Sequence, residues 1–464
     1  MRKILLTLAA VALVASAAPA KSAKRGVCAK GSRAAEFELL EKGNSWYYNW
    51  ATGTSAPSNE QMSFVPMCWN GVNADAIRKY CKEHPEVKYL LGFNEPNFTN
   101  QANLTPQEAA AKWPEVVSLA KELGLEVVAP AMNFSTGTYA SPSKWMDEFV
   151  AIVGKDAFDY TAIHNYGGLG VMKQLGTEFH EKYGKPVWVT EWCYWPGGAG
   201  NVYVAPATQI ASMIESVKWL EQTPWIFRYA WFMAEGDYDS ANRPNYGLVE
   251  TLPPLSDPVY NLTPQGYVYN YLGTFDKSEY TGVNTWIPAA KCNDFEGVTF
   301  GRVDNAPQVW PIIASQIGSN GYLEFNFDVA NAGKYTLDAW LGGYGEPTRY
   351  DPTWTITVDG TTVVDNNQFT LPNSDTEYVV KKFNLDLTAG KHTVRISDTG
   401  RPSGLMLAAV RLNDGTASID AVGTDAAETA DEVFYNLQGQ RVAAPERGNI
   451  YIVRSGSTAR KIKF

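Results

Sequence analysis

The chain has 464 residues, too many for one ordinary domain, and its 45% hydrophobic content is enough for more than one sizeable core. A formal net charge of −10 argues against nucleic acid as a partner, because a polyanionic backbone calls for a surplus of Lys and Arg. Five cysteines, Cys28, Cys68, Cys81, Cys193 and Cys292, are too few and too scattered for a disulfide framework, and none sits at zinc-ligand spacing.

In chain order, Met1 to Lys3 form a charged start, Ile4 to Ala18 an apolar run, and Ala18, Pro19 and Ala20 a small-residue cleavage site, the pattern of a secretory signal over residues 1–20. No later stretch stays apolar for the roughly 20 residues of a membrane span, so no transmembrane segment is expected. From residue 24 to 275, short β-rich apolar runs alternate with segments of helical period. Eight strands are predicted: Arg25–Ala29, Trp46–Trp50, Phe64–Trp69, Tyr89–Phe93, Val127–Pro130, Tyr160–His164, Val187–Thr190 and Phe227–Trp231. Helices are predicted over Asn73–Glu83, Thr105–Leu123 with Thr105 as cap and Pro106 at the first position, Ser141–Val153 and Ala207–Glu221. Eight βα units imply a (β/α)8 TIM barrel, an α/β fold.

From residue 277 to 412 the texture changes to alternating strands with Gly, Asn and Asp turns, which predicts an all-β sandwich. A small-residue, acidic stretch over 413–431 reads as a linker, and the tail over 432–464 carries two strand-like runs, Val433–Val442 and Gly448–Val453, too small to fold alone.

Two predicted strands end in a carboxylate, Glu95 after the fourth and Glu191 after the seventh. Barrel strands converge at their C-terminal ends, and acetal cleavage needs one carboxylic acid to protonate the leaving oxygen and one carboxylate to meet the charge at the anomeric carbon. An isolated Glu at a strand end is usually a solvated rim residue; two at these positions of one barrel point to chemistry. Asn94, beside the acid, is placed to bond a sugar hydroxyl. His164 reads as a hydrogen-bonding partner rather than a base. Trp192 and Trp231 are open to two readings, sugar platform or core filler.

The segment Asn94-Glu95-Pro96 resembles the strand-four signature of the clan A glycoside hydrolases. Lys24 to Val27, Trp46 to Trp50, Phe64 to Met67, Leu91 to Pro96 and Val189 to Trp192 more narrowly resemble glycoside hydrolase family 128. That resemblance covers residues 24–275 and implies an endo-acting β-1,3-glucanase that retains anomeric configuration, with Glu95 as acid/base and Glu191 as nucleophile. It further implies sugar-binding roles for Asn94, Tyr166, Trp192 and Trp231, and no cofactor or metal. The partner expected is a β-glucan polysaccharide, and the chain is expected to be a monomer. The rivals are the same chemistry on another β-glucan or a mannan, and a surface glycan-binding protein whose barrel has lost activity.

The sandwich resembles carbohydrate-binding modules of the family 6 and 35 type, with Trp286, Trp310, Trp340, Tyr344 and Trp354 as candidates to stack on a sugar face; a spacer is the alternative. The tail from Asn436 to Lys463 resembles the sorting domains of Bacteroidota proteins exported by the type IX system, which implies a secreted or cell-surface bacterial protein. Four Asn-x-Ser/Thr triplets begin at Asn97, Asn103, Asn133 and Asn261 and are expected to be fortuitous.

Overall fold

The computed structural model describes residues 21–133, 139, 141–196, 202–238, 240–241, 243–252, 258–302, 311–342, 351–372, 377–399, 406–415, 433–435, 441–442, 450–455 and 458–463. The expected export signal, Trp310, Tyr344, nearly all of the expected linker and part of the tail lie outside the described residues.

Eight parallel strands form one sheet in the order β3-β2-β1-β8-β7-β6-β5-β4. They are β1 (Arg25–Cys28), β2 (Trp46–Tyr48), β3 (Ser63–Phe64), β4 (Tyr89–Leu91), β5 (Glu126–Met132), β6 (Tyr160–Asn165), β7 (Val187–Trp192) and β8 (Ile226–Trp231). Their near-continuous apolar sequences follow from burial on both faces, as a parallel sheet under helices requires. The cylinder closes between the ends of that order: Leu91 N donates to Pro66 O and Cys68 N to Leu91 O, each at 2.9 Å. Pro66 offers a carbonyl but no N–H, which is why β3 is short and its continuation pairs through one isolated bridge, Met67 with Leu91.

The helices are α1 (Ala34–Leu40), α2 (Ala74–Glu83), α3 (Pro106–Leu123), α4 (Pro142–Val153), α5 (Leu169–Tyr183), α6 (Pro206–Gln222) and α7 (Pro264–Tyr271). The expectation of eight βα units is corrected at one point: the connection from β2 to β3 carries turns and bends but no helix. Its Thr, Gly, Ser and Pro residues between Ala51 and Ser58 favour turns over a helical run. Helix α3 begins with a capping box, Thr105 accepting from Glu108 N while the Glu108 side chain returns to the Thr105 backbone. Pro114 lies in the third turn of α3, and Gly124 closes the helix in the left-handed region at φ +68°.

The floor of the barrel is aromatic. Trp46, Tyr89, Tyr160 and Trp188 meet edge to face, with Phe227 packed against Tyr89, Tyr160 and Trp188. The Arg228 guanidinium lies over this cluster, 4.5 Å from the Tyr89 ring centre and 5.1 Å from that of Trp188.

The second region is antiparallel, with strands in the order 361–368, 353–358, 390–398, 313–329, 406–413, 333–342 and 378–387. Trp354 and Phe383 come from opposite ends of this order, yet their rings stack at 5.5 Å, so the sheet folds back on itself as a sandwich. The long strand Ile313–Val329 joins the halves, pairing with Gly390–Asp398 and, at Ala314, with Leu407. Barrel and sandwich belong to one compact unit that ends at Asp414. Asp294 of the sandwich is buried between Lys218 of α6 at 2.8 Å and Lys277 at 2.7 Å. Phe275 and Phe295 pack across the same seam at 5.0 Å. The tail unit, from Gly415 onward, carries a four-stranded antiparallel sheet among its described residues. Among the described residues no helix is long and apolar enough to cross a membrane.

Candidate active site

The site is assembled at the C-terminal ends of β2, β4, β5, β6 and β7. Past β4 the chain stays pinned to its neighbours: Asn94 N donates to Trp69 O at 2.8 Å and Glu95 N to Ala131 O at 2.9 Å. Glu95 itself has φ +43°, and Trp50, past the end of β2, has φ +64°. The left-handed region costs a non-glycine residue about 1 kcal/mol or more, and such strain is held where a side chain must be aimed.

Glu191 reaches the interior through an irregularity in β7. Ile163 pairs with Val189, but the next pair is His164 with Glu191, so Thr190 is an extra residue on one strand. Side chains alternate between faces with period two, and one inserted residue reverses the alternation. Trp188 therefore points into the barrel floor and Glu191, three residues on, points inward as well. The same inversion sends Trp192 outward, to the helix layer.

Glu95 and Glu191 are each 4% exposed. Oxygens of the two carboxylates and a ring nitrogen of His164 lie within 4.8 Å of one another. His164 Nδ1 stands 2.6 Å from Glu95 Oε1 and 3.3 Å from Glu191 Oε2. Asn133 Nδ2 donates to Glu95 Oε1 at 2.7 Å. Glu191 is gripped from both sides: Tyr48 Oη donates to Oε1 at 3.0 Å, Trp50 Nε1 to Oε1 at 2.6 Å, and Tyr166 Oη to Oε2. Burial opposes charge on His164, but the Glu191 carboxylate, the hydrogen bond to Glu95 and the Glu95 charge together hold it above the ordinary imidazole value. Burial, then the charges of Glu191 and Glu95, push the Tyr166 phenol well up, so it remains a hydrogen-bond donor. Two carboxylates and an imidazole at this spacing also match the donor set of a metal site. The donors from Tyr48, Trp50 and Tyr166 instead occupy the Glu191 oxygens, which favours proton and covalent chemistry.

Asn94 Nδ2 donates to Gln101 Oε1 at 3.1 Å, while its Oδ1 is buried with no partner in the structure. A buried acceptor left open beside the carboxylates suits a sugar hydroxyl. Half-buried Trp50 and Phe232 form the aromatic wall around Glu191, with Phe232 also 5.3 Å from Tyr166 and 5.4 Å from Tyr246.

Of the residues singled out from sequence, Glu95, Glu191, Asn94 and Tyr166 come together here, and His164 is the hydrogen-bonding partner expected. Trp192 and Trp231 require correction as sugar-binding residues. They are 1% and 0% exposed, pack edge to face at 4.6 Å, and both lie against Tyr269 of α7. Trp231 Nε1 is spent on Tyr246 O at 2.7 Å. Sequence reasoning missed Tyr48, Trp50, Asn133 and Gln101. The signal for the first two was present in the spacing: Trp46 and Tyr48 share one face of β2, Trp50 follows two residues on, and Trp46 anchors that face inside the barrel. Asn97 and Asn133 each begin a glycosylation triplet, yet both are buried, and Asn97 Nδ2 donates to Asn133 O at 2.9 Å.

A sequence profile of the family described as glycosyl hydrolase catalytic core matches residues 26–269. The chain belongs to this glycosyl hydrolase family. Similar solved structures include a GH128 (subgroup II) endo-β-1,3-glucanase from Pseudomonas viridiflava, 32% identical over 54% of this chain and 98% of that one, with a TM-score of 0.46. The corresponding enzyme from Sorangium cellulosum is 31% identical over 53% of this chain and 97% of that one, TM-score 0.44. The glycosyl hydrolase is also 23% identical over 226 residues to alkali-sensitive linkage protein 1 of Schizosaccharomyces pombe. That match covers 47% of this chain and 40% of the relative, so the chain spans well under two thirds of that protein.

Proposed function

We propose that this glycosyl hydrolase is a retaining endo-β-1,3-glucanase. The observation that carries the proposal is the buried pair Glu95 and Glu191, with carboxylate oxygens within 4.8 Å. Inverting enzymes hold their carboxyl groups about 6.5–9.5 Å apart to admit a water, whereas about 5–5.5 Å suits direct attack. The linkage is supported by the 32% identity to an endo-β-1,3-glucanase over nearly all of that protein's length.

Glu191, oriented by Tyr48, Trp50 and Tyr166, attacks the anomeric carbon as Glu95 delivers its proton to the glycosidic oxygen. The bond to the leaving sugar breaks, and a glycosyl ester forms on Glu191. Glu95, now a carboxylate, takes a proton from water; the resulting attack frees Glu191 and returns the β configuration. Asn94 Oδ1 is available to a hydroxyl of the sugar in transit. His164, hydrogen bonded to Glu95 through Nδ1 and with the same nitrogen 3.3 Å from Glu191, keeps their spacing as the proton moves.

The proposal extends to export, supported by the signal-like residues 1–20 and the sorting-like tail, and to glycan retention by the sandwich. Trp286 is half-buried, 5.7 Å from Trp340, with the Arg411 guanidinium 4.6 Å from its ring centre. Trp354 has no such role, because it is fully buried in the sandwich core. The activity is tested by product analysis over laminarin, curdlan, lichenan, cellulose and mannan. Release of a series of oligosaccharides from laminarin and curdlan is expected; cleavage confined to the other polymers would overturn the linkage.

A further inference from the structure

The inference concerns a second carboxylate pair at the barrel mouth, outside the reacting centre. Glu36, in the first turn of α1, is 2% exposed, and its Oε1 is buried with no partner in the structure. Its neighbour is Glu235, in the segment that follows β8. Glu235 accepts one backbone hydrogen bond on each oxygen, from Lys30 N at 3.0 Å and from Gly31 N, and each oxygen keeps a lone pair for a further donor. Both carboxyl groups converge on Gly31: a Cβ there would lie 1.8 Å from Glu36 Oε2 and 2.8 Å from Glu235 Oε1. Only glycine permits so close an approach of carboxylate to backbone.

We propose that Glu36 and Glu235 share one proton and that this pair is a positioning device for the nucleophile, acting through Lys30 and Trp50. A buried carboxylate in contact with a half-buried one does not ionise cheaply, so Glu36 keeps its proton and donates to Glu235. The division of labour follows from their partners. Glu36, which receives no backbone N–H, is the member that keeps the proton and donates it; Glu235, which receives two, is the acceptor. Glu235 then fixes the backbone of Lys30, whose ammonium lies 5.1 Å from the centre of the Trp50 ring. Trp50 in turn donates to Glu191 at 2.6 Å.

Few titratable groups face the pair: Cys28, a buried thiol that the Glu191 and Glu235 charges help push well up, stays neutral beside Glu235. The strand Val259–Leu262, packed on α1, brings no acidic or basic side chain, only the phenol of Tyr260. Lys30 is turned to Trp50, and Glu250 and Asp237 border the same recess as Glu235 without an ion pair to Glu36. Burial first, then the Glu235 charge and the hydrogen bond between the two, push the Glu36 carboxyl up to about 8. A proton kept in the folded state and lost in the unfolded one makes stability fall as pH rises from the ordinary carboxylate range to about 8, and the bracket on Trp50 is lost above that pH.

The test compares wild type with Glu36→Ala and Glu36→Gln, in pH profiles of kcat/KM from 6 to 10 and in melting temperature over the same range. The alanine variant is expected to lose turnover more than substrate affinity at neutral pH, and glutamine, which donates but does not ionise, to rescue it. At pH 9, one unit above the titration, wild type should lose about tenfold more activity than Glu36→Gln, relative to each at pH 7. The wild-type melting temperature should fall from pH 6 to 8 relative to the glutamine variant. Superimposable activity profiles would overturn the positioning role, whatever the melting curves do. The role assigned to Glu36 rests on Glu191 being the nucleophile, and the two fail separately: an active Glu191→Gln variant refutes the reaction, whereas an inactive one with no alkaline shift in Glu36→Gln refutes this inference alone.

Discussion

Glu191 is held by three donors from two strand ends, so the loss of one donor should weaken its aim without removing its reactivity. Trp50→Phe, which keeps the ring and deletes the Nε1 donor, is expected to lower kcat on the order of 10- to 100-fold with a smaller change in KM, short of the loss seen on removing an oxyanion donor. Steady-state kinetics on a soluble β-1,3-oligosaccharide checks this. Glu95→Gln is expected to lose about 10²–10⁴ in turnover on natural substrate. It should recover much of that on aryl glycosides, whose leaving groups need no proton; equal impairment on both would remove Glu95 from the acid role. Trp231→Ala should act on stability, by roughly 3–5 kcal/mol in denaturant unfolding, as befits a deleted core aromatic. A raised KM at unchanged stability would restore Trp231 to the sugar. Glu95 and Glu191 were legible because strand-end carboxylates are unusual in pairs. Trp192 misled because simple alternation from Trp188 turns it inward, whereas the extra residue at Thr190 is a pairing irregularity visible only when β6 and β7 lie side by side. Trp231 misled because the resemblance assigns a strand-eight aromatic to the sugar, and here that ring is packed against Trp192 and Tyr269.

At the level of elements, the strand pattern between Arg25 and Trp231 carried most of the fold, since apolar β-rich runs separated by helical period leave few alternatives. Helix α1 was harder to see, being seven residues long and without a side-chain N-cap. The unit boundary was also less legible. The change in texture near residue 277 is real, but the seam is glued by Asp294, which a period-two pattern does not distinguish from any other strand polar residue. Burial alone would push its carboxyl up; hydrogen bonds and charge from Lys218 and Lys277 overrule that and hold it at about 2. A depressed folded value means the stabilisation is complete above the ordinary carboxylate range and fades as pH falls toward 2. Asp294→Asn is therefore expected to cost about 2 kcal/mol at pH 7, following the scale of about 1.4 kcal/mol per unit, and progressively less toward pH 2. Calorimetric melting from pH 7 to 2 checks it; a deficit that does not shrink with acid would mean packing, not charge, holds the seam.

For the whole molecule, a net charge of −10 and an acidic mouth suit a neutral polysaccharide better than an anionic one. Cys28, Cys68, Cys81, Cys193 and Cys292 are all free thiols, four of them buried, so melting should be insensitive to reductant, and a steep fall would count against that. Because barrel and sandwich share a core seam, a point change probes glycan retention more cleanly than a deletion. Trp286→Ala is expected to reduce retention on particulate β-glucan and spare the hydrolysis of short soluble oligomers, as read by affinity electrophoresis and reducing-sugar release. The central claim is direct attack by Glu191 with proton transfer by Glu95, and it predicts the stereochemistry of the product before mutarotation sets in. Proton NMR of the first reducing ends released from laminarin should show the β-anomer; an initial α-anomer would mean that water attacks directly and that the two-step mechanism is wrong.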